Sequence, residues 1–292
     1  MDRTVGIVGL GIMGGAMARN LMERGWRVVG FDTDPGAMAA LAGPLFTGAE
    51  NATGVAAGAP IIITSLPSSR AALAVAGEIA GSGAASRIVC ETSTLSLADK
   101  ERIGAVLTDA GHVALDCPLS GTGSQAAVRD LIVYASGPAE AIARCVPVFK
   151  DISKQHADVG AYGNGSKVKF IANHLVAINN VATAEAMVLA EKAGLDLQMV
   201  LDLVGPGAGG SRIFQIRGPL MVANDYAPPT MRIATWQKDM QIIAEFAQDL
   251  GSPTPLFDRS APVYDEALKM GLGELDTAAV CKVFERDAGV KR

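Results

Sequence analysis

The chain of 292 residues is poor in metal-ligating side chains and has no membrane-length apolar run. Its four cysteines stand at positions 90, 117, 145 and 281 without a CxxC pair, and the three histidines at 112, 156 and 174 add no ligand spacing. That pattern excludes a disulfide framework and a structural zinc site, and predicts reduced, mostly buried thiols in a cytoplasmic protein. Apolar residues are interrupted before any stretch reaches about 18, so no spanning helix is expected. Basic runs are missing too: 25 Lys+Arg stand against 30 Asp+Glu, a formal charge of −5. Neither nucleic acid nor an anionic membrane is therefore an expected partner. The apolar stretch 5–18 after Arg3 has the superficial look of a secretory leader. Gly6, Gly9, Gly11, Gly14 and Gly15 break it, however, and Arg19 and Asn20 follow with no cleavage-like linker.

Glycine is in excess. The chain has 33 among 292 residues, about 11% where ~7% is usual. With 49% hydrophobic and 19% charged residues, the chain has the composition of a globular protein, with length for one large or two ordinary domains. Short apolar runs at 5–10, 27–32, 61–65, 87–91, 112–116 and 130–136 alternate with helix-length segments at 14–24, 35–41, 69–79 and 97–110. Strands without polar alternation, each followed by a helix, predict a parallel sheet covered on both faces: an α/β, doubly wound, Rossmann-type domain. From 166 to 193 there is neither Gly nor Pro, which predicts a helix of ~42 Å capped by Gly194. Only Lys169 and Glu185 carry charge between 168 and 190, so this helix is expected to be buried nearly all round. Helical patterns continue at 198–204, 235–250, 256–269 and 277–286, while 205–229 reads as a Gly- and Pro-rich loop. The expected organisation is a sheet domain over 1–164 and an all-helical domain over 165–292, joined by the long helix.

Three stretches carry chemistry. Gly9-Leu10-Gly11-Ile12-Met13-Gly14 is a G-x-G-x-x-G between a strand and a helix, the context in which backbone can approach a pyrophosphate at a helix N-terminus. Asp32 follows 18 residues after Gly14, near the ~20 expected of a carboxylate on the adenosine ribose. With Thr33 rather than arginine beside it, NAD is favoured over NADP; the plainer reading is that Asp32 begins the turn at Asp34-Pro35, and a flavin nucleotide has no other support. The second stretch is Gly163-Asn164-Gly165-Ser166-Lys167-Val168-Lys169 with Asn173, which puts Lys169 and Asn173 at i and i+4 on one helix face. A lysine in an apolar helix either serves proton transfer, for which burial lowers its pKa, or reaches water or an acid. The third is Asp116-Cys117-Pro118-Leu119-Ser120-Gly121-Thr122, at a strand C-terminal end. It either binds a carboxylate or oxyanion or forms an ordinary polar loop.

Together these stretches resemble the β-hydroxyacid dehydrogenases, a family related to 6-phosphogluconate dehydrogenase. The likeness covers essentially the whole chain, from VGIVGLGIMGGAMARNL at 5–21 through Ser65-Leu66-Pro67, Glu91-Thr92-Ser93-Thr94 and the GxxxKxxxN of 165–173 to Lys238-Asp239. The resemblance implies that Lys169 is the catalytic lysine, Asn173 its neighbour on the substrate, and Ser120, Gly121 and Thr122 the carboxylate-binding segment. It implies that Ile12, Met13, Leu66, Pro67, Thr94 and Lys238 lie near the cofactor. It further implies NAD-dependent oxidation of a small carboxylate-bearing 3-hydroxy acid, or reduction of the matching semialdehyde, without a metal. An NADP-preferring semialdehyde reductase and a non-catalytic nucleotide-binding module are the alternatives, and the presence of Lys169 and Asn173 speaks against the second. The apolar long helix suggests a homodimer or homotetramer. Thr122 stands where many members have glycine, Ala172 where many have asparagine and Glu91 where aspartate is usual, which leaves the substrate's identity open.

Overall fold

A computed structural model of the chain describes residues 3–292, which divide into two compact units, 3–169 and 170–292. The first opens with five repeats of strand and helix. The strands are β1 (Thr4–Val8), β2 (Arg27–Phe31), β3 (Phe46–Gly48), β4 (Ile61–Thr64), β5 (Ile88–Glu91) and β6 (Val113–Asp116), and the helices between them α1 (Ile12–Glu23), α2 (Pro35–Ala39), α3 (Ala52–Gly58), α4 (Ser69–Ala80) and α5 (Leu97–Asp109). All six strands pair in parallel in the order β3-β2-β1-β4-β5-β6. The order reverses beside β1, so a crevice opens past the carboxyl ends of β1 and β4, where ligands bind in such sheets.

The strands carry no polar alternation because both faces are covered: β1, β4 and β5 are buried throughout. Val5, Ile7, Ile63 and Cys90 pack on one face with Met17 and Leu21 of α1, whereas Val8, Ile62 and Val89 pack on the other with Val55, Ile79 and Ile103. Asp34, Asn51, Ser68 and Ser96 each accept a backbone N–H in the first turn of the following helix, contacts worth about 1 kcal/mol apiece. These caps fix where each loop at the crevice ends.

One expected strand lies outside this sheet. The run 130–136 forms β8 (Ile132–Ala135) of a separate three-stranded sheet, antiparallel to β7 (Leu119–Ser120) and parallel to β9 (Gln155–Asp158). The 15 residues between β6 and β8 are taken up by β7 and the short α6 (Gly123–Ala127), so no crossover helix of ordinary length returns the chain to the main sheet. Helix α7 (Ala139–Ile152) then leads into β9, and α8 (Asn164–Lys192) follows.

Helix α8 runs 29 residues and ends at Gly194, whose φ of +75° suits a glycine cap. It is not buried all round. Asn173, Ala177, Asn180, Ala184 and Met187 line its buried face, while Ile171, Leu175 and Leu189 are 59%, 52% and 70% exposed. The second unit adds α9 (Leu197–Val204), α10 (Arg212–Ala223), α11 (Ile233–Asp249), α12 (Pro255–Lys269), a 3-10 turn (Thr277–Val280) and α13 (Cys281–Ala288). Here α10 replaces part of the loop expected over 205–229. Its Gly218 serves packing, since a Cβ there would come 2.6 Å from Leu201 of α9. Gly210 similarly lets the chain reverse, because a Cβ there would lie 2.1 Å from the Gly205 carbonyl oxygen. The buried Arg217–Asp276 ion pair ties α10 to the 3-10 turn.

Two glycines make opposite tests of this packing. A Cβ on Gly165 would come 2.5 Å from the Tyr134 carbonyl oxygen and 2.7 Å from that of Asp116, both rigid backbone. Gly165→Ala is expected to cost about 1–3 kcal/mol, seen as a lower Tm. Exposed Gly77, mid-helix in α4 with open space around it, should gain about 0.5–1 kcal/mol as alanine; a Tm that does not rise would refute that reading.

Candidate active site

The chain leaves β1 at Val8 and turns on Gly9, whose φ is +89° and whose Cβ would stand 2.1 Å from the Ser65 carbonyl oxygen. Gly14 lies against the same turn, with a Cβ position 1.8 Å from the Gly9 oxygen. Both are glycine for internal reasons. Gly11 differs: it precedes α1, nothing stands within 4 Å of its Cβ position, and its φ of −63° suits any residue. Its missing side chain leaves an open approach to the first turn of α1, where helix N–H groups have no partner within the helix. Ile12 is exposed and Met13 half-buried on that turn. The residues present thus fit a pyrophosphate.

Asp32 is half-buried at the end of β2. One carboxylate oxygen accepts the Leu10 N–H at 2.6 Å, the other the Asp34 N–H at 2.8 Å. It therefore starts the turn before Pro35 and also braces the glycine turn. A carboxylate has about four acceptor positions, so capacity for two ribose hydroxyls remains after these bonds.

Past β4 and β5 the loops are linked to each other. The Leu66 N–H donates to Ser93 Oγ at 2.9 Å, and Thr92 Oγ1 donates to the Thr64 carbonyl at 2.7 Å. Pro67 is exposed, and Leu66 and Thr94 are half-buried. Beneath them lies a group the sequence reading missed. Lys100 of α5, fully buried, pairs with Glu91 and with Asp116 Oδ1 at 2.9 Å. Burial pushes its pKa down, but the two carboxylates outweigh burial and hold it above the usual lysine value. The signal in the sequence was weak, because Lys100 sits among polar neighbours in a helix of mixed character.

Asp116 carries the next part of the site. Its carboxylate accepts the backbone N–H of Ser166 at 2.7 Å and the Ser166 hydroxyl at 2.9 Å, so it caps the first turn of α8 from outside the helix. Lys169, half-buried, follows three residues later. In the other direction Ser120 ends β7, four residues after Asp116, and Gly121 turns with φ +133°, where a Cβ would meet Leu131 at 2.5 Å. Thr122 is committed locally: its N–H donates to Gln125 Oε1 at 3.0 Å and its hydroxyl lies 3.0 Å from Ser124 Oγ. Both its N–H and its hydroxyl are therefore engaged within the loop, which leaves Ser120 and the Gly121 backbone to meet a ligand.

In the second unit, Asn173 is buried on α8 and its amide donates to Asp239 Oδ2 at 3.0 Å. Lys238 pairs with the other oxygen of Asp239 at 3.1 Å. Only an NH₂ can donate to a carboxylate, so this bond fixes which way the Asn173 amide faces. No role was expected for Asp239, whose contact to Asn173 lies within the second unit; a buried aspartate between Trp236 and Met240 on α11 was the available signal. The four cysteines are free and buried, and among the described residues no group of three or more His, Cys, Asp or Glu can hold a metal ion.

The glycine geometry yields a paired expectation. Gly11→Ala should weaken NAD binding, by calorimetry or fluorescence titration, at unchanged Tm. Gly14→Ala should lower Tm, because its Cβ meets backbone. Equal Tm losses in both variants would contradict the distinction.

Comparison with known proteins places the chain in a family. Residues 4–163 match the model for the NAD binding domain of 6-phosphogluconate dehydrogenase, and residues 163–284 the model for the NAD-binding region of NADP-dependent 3-hydroxyisobutyrate dehydrogenase. L-threonate dehydrogenase of Cupriavidus necator is 30% identical, over 97% of this chain and 97% of its own. The solved 3-hydroxyisobutyrate dehydrogenase of Salmonella typhimurium superposes with a TM-score of 0.85 at 32% identity, covering 96% of this chain and 99% of that one. The Mycobacterium tuberculosis 3-hydroxyisobutyrate dehydrogenase solved with L-serine gives a TM-score of 0.88 at 27% identity, covering 97% and 99%. With both family models and a full-length relative in agreement, the chain belongs to the β-hydroxyacid dehydrogenase family and is an oxidoreductase with an NAD-binding domain.

Proposed function

We propose that the protein oxidises a small 3-hydroxy acid with NAD, or reduces the matching semialdehyde, and that Lys169 is its acid/base. The observation that carries this reading is the double use of Asp116: one buried carboxylate anchors the helical turn before Lys169, and the strand it ends leads directly into Ser120. Sheet residues 1–164 act as the nucleotide domain and 165–292 as the helical domain. Gly9, Gly11, Ile12, Met13 and Gly14 would hold the pyrophosphate and Asp32 the ribose, with Leu66, Pro67, Thr94 and Lys238 beside the remainder. Asp32 favours NAD, since a carboxylate accepts from a 2′-hydroxyl and repels a 2′-phosphate. NAD, when bound, takes up the hydride.

The chain's own residues do the rest. In the Ser120, Gly121 and Thr122 segment, Thr122 holds the loop through Gln125 while Ser120 and the Gly121 backbone bind the substrate carboxylate, a contact that fixes the distance to the hydroxyl carbon. Lys169 accepts the hydroxyl proton as the C–H bond breaks, and returns it in the opposite direction. Asn173, its amide turned by Asp239, orients substrate and lysine. Relatives bear on the substrate class: one is an L-threonate dehydrogenase, another a 2-(hydroxymethyl)glutarate dehydrogenase.

The four buried thiols suit a cytoplasmic location. The open apolar residues of the second unit, with Leu189 and Leu203 each 70% exposed, support a homodimer or homotetramer.

NADH formation with a panel of 3-hydroxyisobutyrate, glycerate and threonate tests the activity. Lys169→Ala should lose about 10²–10⁴-fold in kcat while its Kd for NAD stays near that of the wild type. A variant that keeps most of its turnover would remove Lys169 from the role.

A further inference from the structure

Glu91 and Asp116 are register partners on neighbouring parallel strands, so their carboxylates leave the same sheet edge side by side. Both are buried, at 2% and 0% exposure. Two such charges repel strongly where water cannot screen them. Lys100, the cation between them, reaches Glu91 Oε2, Asp116 Oδ1 and, at 3.3 Å, the Glu91 carbonyl. Its position is itself fixed, because the Tyr162 hydroxyl donates to its carbonyl at 2.8 Å.

From this ammonium two chains of hydrogen bonds run outward. One passes through Asp116 to the Ser166 N–H and hydroxyl, and to Ser136, whose Oγ accepts the Gly165 N–H at 3.0 Å. This arm holds the opening turn of α8. The other passes through Glu91 Oε1, which accepts the Ser93 N–H at 2.9 Å, and then from Ser93 Oγ to the Leu66 N–H. This arm holds the two loops proposed to flank the cofactor. The buried charge is unequal, two carboxylates to one ammonium, and the surplus meets the N–H groups of Ser166 and Ser93.

We propose that Lys100 is a positioning residue for the reaction, bridging Glu91 and Asp116 so that the turn bearing Lys169 keeps a fixed register with the Leu66 and Ser93 loops. The proposal rests on the role given to Lys169 above. Without the ammonium, the two carboxylates must separate or one must take a proton, and either change pulls on Ser166 or Ser93. A shift of about 1 Å in a reacting group is enough to cost up to ~10²-fold in rate.

The test compares Lys100→Met, Ser166→Ala, the double variant Glu91→Gln/Lys100→Met and Lys169→Ala for Tm, kcat, KM and Kd for NAD. Lys100→Met should lose about tenfold or more in kcat, and Ser166→Ala about threefold with a lowered Tm, since it removes a hydrogen bond to a buried carboxylate. Ser166→Ala introduced on top of Lys100→Met should cost little further kcat, since Ser166 lies on an arm that Lys100 already holds. Glu91→Gln/Lys100→Met removes one of the unpaired charges and should recover Tm without recovering kcat. Wild-type kcat in folded Lys100→Met and Ser166→Ala, with Lys169→Ala inactive, overturns this proposal alone. Turnover retained by Lys169→Ala overturns the assignment of Lys169 and this proposal with it. If Lys100→Met does not fold, Ser166→Ala and the double variant decide.

Discussion

Asp116 has no solvent contact and uses both carboxylate oxygens: they receive the Lys100 ammonium, the Ser166 N–H and hydroxyl, and the Ser136 hydroxyl. A buried carboxylate is tolerable only when it is paired and its remaining lone pairs are filled. Meeting that condition brings α5, β6, the residue after β8 and the start of α8 to one point. The helix end contributes as well as receives, because its free N–H groups and positive dipole end favour a nearby anion. Breaking a buried pair of this kind by removing one partner typically costs about 3–5 kcal/mol. The opening turn of α8 is therefore held by a satisfied charge as well as by its own backbone bonds.

Two physical classes stand apart among the motif glycines. Gly9, Gly14, Gly121 and Gly165 are glycine because a Cβ would meet this chain's own atoms at 1.8–2.7 Å. Gly11 is glycine with nothing near it, and the internal packing gives no reason for that. Composition and motif spacing treat these positions alike. Open space alone does not decide function, since Gly77 in α4 is as open as Gly11; what sets Gly11 apart is its place before the first turn of α1.

Much of the nucleotide-binding half was legible because its strands are buried on both faces and so appear as uninterrupted apolar runs. Elements with weaker signals escaped. β3 has three residues, α3 contains two glycines, and α7 and α10 each enclose a proline, at Pro147 and Pro219. The separate sheet of β7, β8 and β9 could not be told from the main one, since an apolar run does not state its partner. Among the candidate site residues, those on local motifs could be named from the sequence: the glycine turn, Asp32, the Ser120 loop, and Lys169 with Asn173. Lys100 and Asp239 were not, because their significance lies in contacts to Asp116 and Asn173, 16 and 66 residues away.

Helix α8 shows the same limit from another side. Its apolar sequence predicted burial all round, yet Ile171, Leu175 and Leu189 form an open edge; hydrophobicity states a preference and cannot say whether this chain satisfies it. Its polar residues are equally ambiguous until their partners are seen. Asn180, 1% exposed, gives its amide hydrogens to Tyr264 and the Thr277 carbonyl, and so fastens helices of the second unit together. Asn173, 4% exposed, gives its own to Asp239, which is paired with Lys238. Both are buried asparagines on one face of one helix. What separates a scaffold residue from a candidate site residue here is the identity of the acceptor, and that is a tertiary fact.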